Sequence, residues 1–92
     1  LTREVIGMFL AEAPRRLAAL EAAIAAQDAA ALAGAAHALK GAAGNIGAAA
    51  LQAESDQLEI DAREGVPVDA IARLQRLRER WSQTQAVLSD WV

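Results

Sequence analysis

The sequence predicts an all-α protein, an antiparallel up-down-up-down bundle of four helices. Three observations carry that reading. Alanine fills about a quarter of the 92 residues and β-branched residues are few, a balance that favours closely packed helices. Apolar residues recur at steps of three and four, the spacing of one buried helical face. The segments between these stretches are short, so consecutive helices must lie side by side and antiparallel. Ninety-two residues suffice for one core, and residues 1–92 are read as one domain.

The first helix is expected from about Thr2 to Ala26, with Ile6, Leu10, Ala13, Leu17, Leu20 and Ile24 on its inner stripe. Pro14 interrupts this series. A proline inside a helix removes one hydrogen bond and crowds the preceding turn, which predicts a kink or break near Ala11 to Ala13. "QD" at 27–28 separates the first two helices, with Asp28 as N-cap of the second. The second helix is expected to reach about Gly44, where "GNIG" at 44–47 forms a turn that accepts positive φ. The third covers about Ala48 to Arg63 and buries Leu51, Leu58 and Ala62. "EGVP" at 64–67 ends it, Pro67 suiting the first turn of the fourth helix. That helix is expected to turn Ile71, Leu74, Leu77, Trp81, Leu88 and Trp91 inward.

Several functions are disfavoured by composition. The net charge of −3 is mild and mixed in sign, and no basic run or aromatic platform suggests nucleic acid. There is no cysteine and one histidine, too few N and S ligands for a zinc centre. No apolar run approaches the ~18 residues of a membrane span, and no signal peptide is evident, so the cytoplasm is the expected location. The chain opens "LTREV" without methionine, as a domain cut from a larger protein would.

The lone histidine stands in "AHALKGAAGNIGAAAL", residues 36–51, with three glycines in the ten positions after it. Glycine weakens a helix by about 1 kcal/mol relative to alanine. At about 100° per residue, Leu39, Ala42, Ile46, Ala35 and Leu32 fall opposite His37 and must face the core. His37 therefore points outward. On its own side lie Ala30, Ala33, Gly34, Lys40, Gly41 and Gly44, all tiny except the lysine. The glycines strip bulk from the turns around an exposed imidazole.

Histidine titrates at about pH 6.5, so near neutrality a ring nitrogen is free to act as nucleophile. Lys40, one turn along, can offset negative charge on an anion bound to that ring. This combination suits a transient phosphoryl acceptor, since phosphoryl transfer depends on in-line positioning and charge stabilisation. The chain has no nucleotide-binding glycine loop. Glu54, Asp56, Glu59 and Asp61 are read as spread around the third helix, with Glu54, Asp56 and Glu59 solvating an exposed face. Gln57 is a candidate to reach the imidazole from that helix. The expected role is a carrier, not an enzyme, with no cofactor of its own.

"AHALKGAAGNIGAAAL" resembles the signature of histidine phosphotransfer (HPt) domains, H-x-L-K-G followed by small residues and then x-x-G-A and a leucine. His37 matches the phosphoacceptor, Lys40 the basic residue three positions on and Gly41 the glycine beside it. Asn45, Gly47 and Leu51 match the following turn and helix start. "FLAEAPRRLAALEAAI", residues 9–24, resembles the family's preceding helix, proline included. The resemblance implies a four-helix bundle that takes a phosphoryl group on His37 from one receiver-domain aspartate and passes it to another. It also implies that the receiver supplies Mg²⁺ and the catalytic pocket, and that a hybrid sensor histidine kinase is a further partner. Ala42 and Ala43 stand where the family often has serines. No bulky aromatic precedes His37, unlike the related domain of chemotaxis kinases, which favours the relay type.

A receiver settling over His37 needs a shallow, partly apolar face. Ala33, Gly34, Gly41 and Gly44 are expected to supply flatness, with Val5, Met8 and Phe9 at the rim; Phe9 borders the inner stripe and could equally be core. The expected state is a monomer. An alternative from another class is an adaptor bundle whose glycines mediate helix packing or self-association. A hydrolase using His37 as general base lacks a nucleophile and a pocket signature.

Overall fold

The computed structural model of the chain describes residues 2–91. It contains helices α1 (Arg3–Ala25), α2 (Ala29–Asn45), α3 (Ala49–Ala62) and α4 (Ala70–Leu88), followed by a 3₁₀ turn at Ser89–Trp91. Each helix packs on the next in sequence and α4 returns to α1, closing the antiparallel bundle. The particle measures 38 × 19 × 18 Å. Among the described residues no helix is long and apolar enough to cross a membrane.

Local signals account for the helix boundaries. Thr2 accepts a hydrogen bond from the Val5 amide at 3.2 Å and caps α1. At the end of α1 the chain reverses through Gln27 at φ 53°, whose side chain donates to the Ile24 carbonyl at 3.0 Å. Asp28 then caps α2 by accepting from the Ala31 amide at 3.0 Å. Because α2 carries His37, this cap bears on the site; Asp28→Ala should lower stability by about 1 kcal/mol, read from urea unfolding. An unchanged midpoint would mean that the α1–α2 turn holds the helix start by itself. Gly47, at φ 71°, makes the turn into α3.

The core joins one stripe from each helix. On α2 the fully buried residues are Leu32, Ala36, Leu39 and Ala43, while Ala35, Ala42 and Ile46 sit at its edge. Leu20, Leu51, Leu58 and Leu77 fill the centre. Ser55 is also buried, its hydroxyl donating to the Leu51 carbonyl at 2.7 Å.

Four expectations change. Of the kink or break expected near Pro14, the break does not occur: the proline is exposed within a helix assigned continuously from Arg3 to Ala25. Phe9 is core, 4 % exposed, with its ring edge-on to Trp81 at 5.1 Å and 69°. Pro67 precedes α4 instead of opening its first turn: its carbonyl accepts from the Ala70 amide at 3.1 Å. Ile71 and Trp91 face solvent, because the stripe of α4 runs through Ala70, Leu74, Leu77, Trp81 and Leu88.

Candidate functional site

His37 lies midway along α2 with its side chain 67 % exposed. The core stripe of α2 is centred away from it, so the ring stands on the flank between the α3 contact and the α1 contact. On the α3 side, Lys40 is half-buried and Gly44 leaves room for Gln52, whose Nε2 lies 3.0 Å from where a Gly44 Cβ would be. Gly44 therefore serves the α2–α3 packing. Ala33 is half-buried against the core. Gly34 and Gly41 are exposed, and a Cβ at either would meet nothing within 4 Å. Neither glycine is needed for helix packing inside the bundle.

The α1 side is a groove of about 730 Å³ lined by Val5, Met8, Glu12, His37, Gly41 and Ile46, among others. Met8 is 65 % exposed at its rim, whereas Phe9, which also lines the groove, is only 4 % exposed. Glu12 and Arg16 pair at 2.9 Å along the same wall. Of the residues expected around the imidazole, the groove unites Val5, Met8, Phe9 and Gly41 with His37; Ala33, Gly34 and Gly44 lie outside it.

The carboxylates of α3 do not simply solvate a face. Glu59 is buried, its side chain 5 % exposed, and its Oε2 lies 3.0 Å from His37 Nδ1. Arg63 Nη2 reaches the same oxygen at 2.7 Å. Lys40 Nζ approaches Oε1 at 2.7 Å, a close charge contact without the angle of a directed hydrogen bond. Asp56 accepts from Lys40 at 3.2 Å. Gln57 points elsewhere and donates to Asp61 at 3.0 Å. Glu59 thus occupies the place beside the imidazole for which Gln57 was the candidate. The sequence held a partial signal: Glu59 is three residues before Ala62, on the buried side of α3, but its residue type is that of a solvated position.

Charge settles the protonation pattern. Lys40 above all, with His37 and Arg63, outweighs desolvation and holds the Glu59 carboxyl at about 2, down from 4.5. Glu59 and then Asp56 raise the Lys40 ammonium above its ordinary value. An ionised carboxylate can only accept, so a hydrogen bond from His37 requires the proton on Nδ1. In the neutral ring Nε2 is then left with its lone pair. Since Glu59 titrates lower in the folded chain, its stabilising contribution is complete above pH 4.5 and is lost as pH falls to about 2. Asp61, held low by Arg73, acts in the same direction. Unfolding midpoints followed through this acid interval should fall less steeply in Glu59→Gln than in the parent; parallel curves would remove Glu59 from the acid response.

An exposed imidazole thus stands on a four-helix scaffold, its Nδ1 against a buried carboxylate that Lys40 also approaches. A family model described as the Hpt domain matches residues 4–87. The chain belongs to the Hpt family. Hpt domains carry phosphoryl groups in two-component phosphorelays, exchanging them with receiver domains or kinases, and are carriers more than catalysts. No curated protein and no solved structure matches the chain. In this Hpt domain the segment that resembles the family signature runs from the middle of α2 through the Gly47 turn into α3, and the Glu59 carboxylate arrives from α3, twenty-two residues after His37.

Proposed function

We propose that this Hpt domain relays a phosphoryl group between receiver-domain aspartates through a phosphohistidine at Nε2 of His37. The observation that carries the reading is the contact of Nδ1 with buried, ionised Glu59, which leaves Nε2 as the outward nucleophile. In the transfer, the Nε2 lone pair forms the N–P bond as the bond from phosphorus to the donor aspartate oxygen breaks. That electron pair leaves with the donor carboxylate, and the proton stays on Nδ1. The ring gains positive charge, which Glu59 stabilises at hydrogen-bond distance. Lys40 offsets charge on the phosphoryl oxygens. The reverse step hands the group to a second receiver.

The domain spans residues 1–92, works as a cytoplasmic monomer and needs no cofactor of its own; the receiver brings Mg²⁺. A hybrid sensor histidine kinase is a further partner. The receiver settles over the exposed strip at Gly41 and Gly34, with Val5 and Met8 giving an apolar rim. Incubation with a phosphorylated receiver tests this reading: the domain should acquire phosphate that is labile in acid and stable in base. Absence of such label across the candidate receivers of the source organism would refute it.

A further inference from the structure

Lys40 is the only lysine in the chain, and in the resting structure it is already engaged. Its two carboxylates differ. The Asp56 side chain is 48 % exposed and can be given over to water, whereas the Glu59 side chain is 5 % exposed. Withdrawing a cation from a buried carboxylate leaves an uncompensated charge, which is costly. A phosphoryl group on Nε2 brings about two negative charges and needs that same ammonium. The ring gains charge only as the N–P bond forms, so a cation that stays on Glu59 throughout is needed to keep that carboxylate in place when Lys40 turns away.

Arg63 meets the requirement. It sits one turn beyond Glu59, contacts Oε2 and not the Oε1 that Lys40 approaches, and is 66 % exposed, so it makes no competing buried contact. We propose that Arg63 is a positioning residue for phosphoryl acceptance: by holding Glu59 through Oε2, it lets Lys40 leave Oε1 for the phosphoryl group while Glu59 keeps the Nδ1 proton of His37. The claim rests on His37 being the acceptor. In the resting site Lys40 and Arg63 balance Asp56 and Glu59. After transfer Lys40 neutralises phosphate, Arg63 and the positively charged ring share Glu59 through Oε2, and Asp56 is hydrated. Glu12 and Arg16, which face the groove from α1, form their own pair at 2.9 Å and remain in place.

A double-mutant cycle tests this with two donors, a phosphorylated receiver and phosphoramidate. With the latter, the N–P bond to Nε2 forms as the donor P–N bond breaks and ammonia leaves. Arg63→Gln and Lys40→Ala should each slow uptake by about tenfold, and Lys40→Ala in the Arg63→Gln background should add less than about twofold. Arg63→Lys should restore most of the rate. Lysine ¹⁵N labelling gives a single ammonium signal, whose hydrogens should exchange several-fold more slowly in Arg63→Gln, because Lys40 is then the sole cation holding Glu59. Circular dichroism should show all variants folded, since the Arg63 pair is exposed on one side. Additive penalties, or an ammonium whose exchange ignores Arg63, would overturn the proposal. A parent chain that takes phosphate from neither donor would refute the relay itself, and the ammonium exchange still decides whether Arg63 governs Lys40.

Discussion

His37→Gln abolishes phosphoryl uptake and leaves the bundle intact. The expectation follows from where the ring stands. Its side chain is 67 % exposed, its neighbours on the outer face are small, and no core residue leans on it. Glutamine is a better helix former than histidine. Helix content and melting should therefore stay close to the parent. Chemically the replacement is complete, because an amide nitrogen has no lone pair available to attack phosphorus, and no second histidine or cysteine exists to take over. Glutamine can still donate from its amide toward Glu59, which keeps that buried carboxylate partnered and separates chemistry from stability. Radiolabel from a phosphorylated receiver, resolved on a gel after base treatment, makes the measurement. Persistent label in the variant would place the acceptor elsewhere.

Gly41→Leu should slow transfer from a receiver by about a hundredfold while folding at least as well as the parent. Misplacing a reacting pair by about 1 Å can cost that much. Gly41 is exposed, a Cβ there meets nothing within 4 Å, and the position lines the groove beside His37, so the monomer should accept the added bulk next to the ring. Exchanging a helical glycine for leucine also adds up to about 1 kcal/mol of intrinsic preference. Stability and activity thus move in opposite directions, which a merely misfolded variant cannot imitate. Phosphoramidate is small enough to pass the new side chain and should lose far less. Equal rates from the receiver would show that the bare strip has another purpose; equal losses with both donors would mean that the leucine blocks the imidazole itself and not the docking of a protein.

The fold was largely legible because its signals are local. Asp28 and Thr2 are helix caps, Gly47 is a left-handed turn, and Leu17, Leu20, Leu74 and Leu77 repeat at helical steps. The outward direction of His37 followed from the same periodicity. What escaped depends on neighbours distant in sequence. Glu59 has the residue type of a solvated position, and only the approach of α3 to the Lys40 flank turns it into the partner of the imidazole. Phe9 could belong to rim or core until Trp81, seventy-two residues away, met it edge-on. Ile71 is apolar and regularly spaced, yet α4 presents Ala70 and Leu74 to the bundle and leaves Ile71 64 % exposed. At Pro14, of the kink or break that the residue predicted, the break does not occur, since α1 runs on from Arg3 to Ala25.

The ring projects from the side of a rod, flanked by a helix on one hand and an open groove on the other, and it offers only one reactive atom. Under the proposed relay, donor and recipient must therefore queue for the same berth and cannot form a ternary assembly around it. Traffic through such a station runs in either direction, and its net flow is set by how much of each loaded and unloaded visitor the cell keeps in supply.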